Sequence, residues 1–283
     1  MPAVCRDIAC TVSDLYAGNA KIQLSVSGGA ELITQQMTDR RKEMESEWRR
    51  MSTGRGFWLS VAFCVAGLLA GITWPSEVQP SGTFFTMVQK AFCAKPVCYL
   101  LPVIAVLPWS DSFLREWKSG YLKAALPRIG RRAYVEIKIL TVAGGGILAV
   151  WLAAIVVTFG SFLVCFPQEK AGSIAAEPVQ MLAATVLRCS LVGASFASLG
   201  GICGILGGSA DMAFGIPLVV YYFCMILKER YFPDALWLYP PQWISGAARW
   251  GERGEGLWLF LLLTLTVLMG GHAATIYGKI EAR

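Results

Sequence analysis

From Ile139 to Phe166 the chain runs for 28 residues without an Asp, Glu, Lys or Arg. About 20 apolar residues suffice to cross a bilayer as a helix, so this stretch crosses with length to spare for tilt. Backbone in hydrocarbon must satisfy its own N–H and C=O groups, which leaves helices and closed barrels. Five more stretches suit the helix: Phe57 to Trp74, about Val97 to Phe113, about Met181 to Leu206, about Met212 to Leu227, and Leu257 to Tyr277. Pro102 and Pro108 interrupt the second, which is tolerable where neighbouring groups take up the freed carbonyls. Of the 283 residues only 16% are charged, and the mean hydropathy is +0.53. An ordinary soluble domain carries about 25% charge and is excluded. The expected class is an all-α, polytopic membrane protein with six transmembrane helices over residues 57–283.

The most polar segment between these runs is Ser110 to Lys138. It holds seven Lys or Arg residues and three acidic ones, Asp111, Glu116 and Glu136. Phe113, Leu114, Trp117, Tyr121 and Leu122 make one apolar stripe at helical spacing. Gly120 interrupts the stripe, Pro127 ends the helix and Gly130 turns the chain. A short amphipathic helix along the membrane surface is expected, then a turn, then entry into the third span. The positive-inside rule orients the whole chain. With the N-terminus inside, basic residues from Arg40 onward number six before the first span, seven in this loop and two at the C-terminus. The opposite side has two, one and four in its three loops, so the balance is fifteen against seven. Both termini are therefore expected in the cytoplasm. The net charge of +6 needs no nucleic acid to explain it, because the basic residues cluster at membrane loops.

Residues 1–36 lack the build of a signal peptide. They read as a cytoplasmic tail or as sequence upstream of a true start at Met37, and the change of composition there favours the second. Residues 37–56 contain the charged stretch Thr38 to Arg50, expected to be a cytoplasmic interfacial helix with a narrow apolar face of Met44, Trp48 and Met51. Between the last two spans, Lys228 to Gly256 is aromatic but broken by Pro233, Pro240 and Pro241. It cannot span as one helix, and it reads as a re-entrant or interfacial element.

In order along the chain, Phe113-x-x-Glu116-x-x-x-Gly120, then Leu126, Gly130, Arg131, Tyr134 and Lys138, resemble the loop after the second helix in ABC-2 type transporter permeases. Ile216-Pro217, Tyr221-Tyr222, Glu229 to Phe232, Tyr239-Pro240 and Trp243 resemble a later segment of bacterial members. The resemblance covers about Arg40 to the C-terminus. It implies a permease subunit of a bacterial ABC exporter in the inner (plasma) membrane, paired with a second permease subunit. The central loop would be a coupling helix docked on a separate ATPase subunit through Phe113, Glu116, Trp117 and Gly120. Trp237, Tyr239 and Trp243 would close the outer gate. The chain has no G-x-x-x-x-G-K-[ST] sequence, so ATP and Mg would sit on the partner, with no cofactor on this chain.

Other residues carry weaker signals. Arg188, about two turns inside the fourth span, costs roughly 2.5–3.5 kcal/mol at mid-membrane on insertion scales. It should line a substrate path, paired with Glu177 or Glu169, or else snorkel to the interface. Asp211 reads as the N-cap of the fifth span. Gly200, Gly204 and Gly208, like Gly193, Ala197 and Gly201, make small-residue stripes for close helix crossing. Ser195 and the single His, His272, resemble the dyad of rhomboid-type intramembrane proteases, and such a pair could form an acyl-enzyme. The oxyanion residues of that group are missing. A non-transporting scaffold or immunity protein is the other alternative. The nine cysteines have no C-x-x-C spacing, which argues against zinc; Cys93 and Cys98, near an outer loop, read as two reduced thiols, with a disulfide between them as the alternative.

Overall fold

The computed structural model describes residues 37–73, 82–165, 176–247, 250 and 255–282, and among these every regular element is helical. Calls on residues 1–36, on Trp74 and on Glu169 lie outside the described residues. The order is α1 (Met37–Thr53), α2 (Arg55–Gly71), α3 (Thr83–Phe92), α4 (Lys95–Val106), α5 (Ser112–Ser119), α6 (Leu122–Ile129), α7 (Arg131–Cys165), α8 (Ala176–Gly207), α9 (Ala210–Arg230), a 3-10 turn at Leu236–Leu238, α10 (Pro240–Ser245) and α11 (Gly256–Glu281). Four of these, α7, α8, α9 and α11, are long and apolar enough to cross a bilayer. Two bent pairs, α1 with α2 at 54° and α3 with α4 at 65°, qualify when each is taken as one broken span. The chain is thus a multi-pass helical protein with four to six candidate spans.

The segment before the second expected span is not all loop. Thr83–Phe92 is a helix that buries Phe84, Met87, Val88, Ala91 and Phe92 against α7 and α8. Those positions repeat at spacings of three, one, three and one, a helical stripe too short to span by itself. The chain then bends through Cys93 and Ala94 into α4, whose 12 residues hold Pro102. Pro102 and Pro108 each free a carbonyl four residues back. For Pro102 that is Cys98 O, which accepts from the Tyr221 hydroxyl of α9 at 2.5 Å. For Pro108 it is Ile104 O, which accepts from Ser60 Oγ of α2 at 2.5 Å. Buried hydroxyls on two neighbouring helices thereby make both prolines tolerable. Cys93 and Cys98 are free thiols.

Helix α8 is the centre of the bundle and packs on α3, α4, α7, α9, α10 and α11. Its small residues explain why one helix can meet so many. A Cβ on Gly200 would lie 2.9 Å from Ala213 O, one on Gly201 2.4 Å from the His272 ring, and one on Gly146 of α7 3.2 Å from Gly193 O. Close approach of backbones is what such residues allow inside a membrane. Gly208, at φ 68°, then turns the chain into α9. Here the N-cap is Ser209, whose hydroxyl accepts from Met212 N at 3.3 Å. Asp211 was expected in that role. It sits instead in the first turn, where a negative charge suits the helix dipole.

The central loop also departs from expectation. Its amphipathic helix is two helices, divided at Gly120, which adopts φ 77°. Pro127 does not end the second; α6 continues to Ile129 and stops at Gly130, φ 84°. A proline is cheap here because α6 is only eight residues long and Pro127 lies on its exposed side. Ser110 Oγ ties the start of the loop to Ala197 O of α8 at 3.0 Å.

Candidate functional site

The apolar face of α1 is turned to protein. Met51 is fully buried and its sulfur approaches Gly145 of α7, while the Trp48 ring lies over Gly144. Met44 packs with Ala125, Ile129 and Ile137. Glu47 falls on the same stripe, three residues after Met44 and four before Met51, so the fold carries its carboxylate inward. Six of the seven basic residues of the central loop are exposed; the seventh, Lys138, one turn after Tyr134 on α7, is 1% exposed. Glu116 projects inward from α5.

These side chains meet in one ion cluster. Lys138 Nζ donates to Glu47 Oε2 at 2.9 Å and lies 2.8 Å from Glu116 Oε1. Trp109 Nε1 donates to Glu47 Oε2 at 3.1 Å, and the Tyr134 hydroxyl donates to Glu116 Oε2 at 2.6 Å. Arg50 covers the cluster from the rim, 3.4 Å from Glu47 and 3.7 Å from Glu116, with its guanidinium 5.0 Å above the Tyr121 ring. Tyr121 in turn donates to Glu43 at 2.9 Å. Farther out, Arg40 pairs with Glu136. Two carboxylates and two cations balance, as buried charge requires.

The two carboxylates differ. Burial pushes Glu116 above the ordinary carboxyl range; Lys138 pulls it back, and the Glu47 charge beside it pushes it up again. Burial also works against ionised Glu47, but the Lys138 charge and hydrogen bonds from Glu116, Lys138 and Trp109 prevail and hold it low. Glu47 is thus the fixed anion, and Glu116 the group poised to take a proton.

Beside the cluster is a cleft of about 370 Å³ between α1 and α5, lined by Arg50, Trp109, Arg115, Ser119 and Tyr121. Arg115 spans it, 4.6 Å from the Trp109 ring and 3.2 Å from Asp111. Of the residues expected to dock a partner, Phe113 is buried in a core with Tyr134, Ile205 and Ile276, and Glu116 is in the cluster. Trp117 is half-buried with Lys279 of α11 5.8 Å above its ring, and Gly120 forms the turn. The exposed cations beside them are Arg115, Lys118 and Lys123.

Neither a protein-family model nor a curated protein matches this chain.

At the opposite end of the bundle, Trp237 is exposed on the 3-10 turn. Tyr239 is half-buried with Lys228 4.8 Å above its ring, and Trp243 is buried 5.3 Å from Phe260. Arg188 is half-buried against Gly246 and Trp258, and its Nη2 donates to Thr185 Oγ1 at 3.0 Å. Glu177 is exposed and forms no ion pair with it. The Ser195 hydroxyl donates to Leu191 O within its own helix at 2.9 Å. His272 is wedged at Gly201, six residues and about 9 Å farther along α8, and neither ring nitrogen has a hydrogen-bond partner among the described residues. Ser195 and His272 therefore form no dyad hydrogen bond here.

The one-sided stripe of α1 and the i,i+4 step from Tyr134 to Lys138 could have flagged Glu47 and Lys138 in the sequence. Arg50 and Trp109 had no such signal, because their partners come from distant segments.

Proposed function

We propose that this chain is the transmembrane permease subunit of an ATP-driven exporter of the ABC-2 type, working with a second permease subunit and separate ATPase subunits in a bacterial inner membrane. The observation that carries this reading is Lys138, which joins three elements through two carboxylates: α1 through Glu47, the loop helix α5 through Glu116, and the long helix α7 that bears it. A force applied to the loop from the cytoplasmic side would reach α7 and α1 as one unit. The neighbouring hydrophobic core adds α8 and α11 to that unit.

In this reading the loop has two layers. Phe113 and Glu116 anchor the coupling helix from within. Arg115, Lys118 and Lys123, with the edge of Trp117 and the turn at Gly120, form the surface that an ATPase subunit meets. The cleft beside Arg50 and Tyr121 would accept a protruding side chain of that partner. Closure of the ATPase dimer on ATP would push α5, and the tied helices would move together. The aromatic element of Trp237, Tyr239 and Trp243 would gate the outer mouth. Glu116→Lys would place a second cation against Lys138 and break the fold before it broke docking, so exposed positions make the better probes.

The test is isolation of the tagged full chain from its native membrane in mild detergent. A P-loop ATPase should co-purify and hydrolyse ATP, and Arg115→Glu with Lys118→Glu should release it while the chain still elutes as a single species. Isolation of the chain with no ATPase, under conditions that preserve its fold, would defeat the reading.

A further inference from the structure

The break between α3 and α4 brings two thiols together. Cys93 N donates to Gln89 O and Lys90 O and ends α3. Ala94, with φ −72° and ψ 150°, is the N-cap of α4, and Lys95 and Pro96 are the first two residues of that helix. Counted from the cap, Cys93 is the residue before it and Cys98 the fourth helical residue after it. Side chains at those two positions pack on each other where a chain enters a helix. Here both are cysteines, and the contact is made: the Cys98 thiol lies 3.7 Å from Cys93 O and 4.0 Å from Phe92 O. Those carbonyls are the last of α3, which a helix leaves without a partner of its own, so the thiol serves as a weak cap. The two thiols also lie within electrostatic reach of one another.

They differ in access. Cys98 is 4% exposed, whereas Cys93 is half-buried. The nearby thiol of Cys189, and that of Cys64 beside it, are both fully enclosed. A reagent from solvent therefore meets Cys93 first. The bend also lies at an end of the bundle. Gly71, the last residue of α2, sits against Ala91 and Ala94. Cys165, the last residue of α7, has its sulfur 3.8 Å from Met87 Sδ of α3. Helix α3 thus lies where two long helices end, bent 65° from α4, and the Lys138 cluster is at the other end of α7.

We propose that Cys93 and Cys98 form a reversible redox site: Cys93 exchanges with a disulfide from outside the chain, and Cys98 resolves the product into a bond across the bend. In the first step the Cys93 thiolate attacks one sulfur of the incoming disulfide and expels the other, which leaves as a thiol carrying the Cys93 proton. In the second, the Cys98 thiolate attacks the Cys93 sulfur and expels the remaining half of the reagent, which leaves with the Cys98 proton. Two thiols of this chain are oxidised, and one external disulfide is reduced to two thiols. Only four residues, Ala94 to Val97, lie between the cysteines, and the stabilisation from closing a loop shrinks as the loop shortens. The bond is therefore one that forms and breaks, with no large share in holding the fold. Once formed it clamps the angle between α3 and α4, which in the reduced chain rests on packing and on the weak cap. The site belongs to this chain alone and does not depend on the exporter reading.

The full chain, purified in mild detergent and freed of reductant, is incubated with oxidised glutathione, then denatured in N-ethylmaleimide, digested and mapped by mass spectrometry. The expected product is a peptide with Cys93 bonded to Cys98 and both maleimide labels lost, and excess reduced glutathione should restore both labels. Cys98→Ala should stop at the mixed disulfide, with glutathione retained on Cys93. Cys93→Ala should leave Cys98 labelled by maleimide, because the entry thiol is gone. A single elution peak checks the fold of each variant, and the wild type alone decides whether the pair forms. No bond between Cys93 and Cys98 in the folded wild type overturns the proposal, as does a bond from Cys93 to Cys189 or to any other cysteine. Unmodified Cys93 in Cys98→Ala, or glutathione on Cys98 in Cys93→Ala, overturns the order of attack. A bond that survives excess reduced glutathione would be a structural disulfide, and overturns the reversible site.

Discussion

Lys138 and Arg188 are both cations set into a helical bundle, and the fold treats them differently. Lys138 is enclosed by two carboxylates, and its cluster engages an indole, a phenol and a second cation at the rim. Arg188 has one hydroxyl, one indole face and a glycine that makes room for it, with no carboxylate among the described residues. A satisfied buried network fixes the relative positions of the helices that supply it. A cation left with spare donors has capacity for a group from outside the chain. One end of the bundle ties three helices through paired charges, and the other holds a cation without a carboxylate partner among the described residues.

The contrast breaks most readily at Lys138. Lys138→Met leaves two carboxylates with only Arg50 at the rim to balance them, and removal of one partner from a buried ion group costs about 3–5 kcal/mol. The thermal midpoint in detergent should fall sharply, or the variant should fail to elute as a single species. Glu47→Gln comes next. It removes the fixed anion but leaves Glu116, so a loss of about 1.5–3 kcal/mol is expected, the range of a hydrogen bond to a charged group. Tm read against the wild type checks it.

Glu116→Gln should cost less at neutral pH, and its signature is a change in pH dependence. Glu47, held below its ordinary value of 4.5, contributes stability present above about that pH and lost as the pH falls through its lowered value. Glu116, held above 4.5, favours the fold while protonated, and that contribution is lost as the pH rises from 4.5 through its raised value. Melting followed from about pH 4.5 upward should therefore show a steeper decline in the wild type than in Glu116→Gln. Parallel curves would assign the pH response elsewhere. The smallest stability effect belongs to the other end: Arg188→Gln loses the hydrogen bond to Thr185 but breaks no ion pair among the described residues, so a loss of about 0.5–1.5 kcal/mol is expected. A large loss there would erase the contrast.

Much of the architecture was legible in the sequence. The apolar run at 139–166 is helical in α7 as far as Cys165, and those at 181–206, 212–227 and 257–277 lie within α8, α9 and α11, because length and hydropathy suffice to mark such helices. Helix α3 was hidden because ten residues are too few to span, and only its bend into α4 makes a broken span of the pair. The break at Gly120 was visible, whereas the persistence of α6 past Pro127 depends on local exposure that spacing does not report. At the candidate site, Glu116 was singled out for a surface role, and its inward projection depends on Lys138, 22 residues later. Glu47 looked like one charge among many on a solvated helix. Its burial is decided by Gly144 and Gly145, which let α1 lie close on α7 and bring its stripe against protein.

The most direct test of the joint is the ATP hydrolysis rate of the complex with the ATPase subunit proposed above, per folded complex, for the wild type and Glu47→Gln. Glu47 is buried, and among the described residues its carboxylate meets Lys138, Trp109 and Arg50. If that tie carries the motion, the complex should still assemble while its hydrolysis falls by about tenfold, equivalent to about 1.4 kcal/mol in the barrier. An assembled complex that hydrolyses ATP at the wild-type rate would contradict the account.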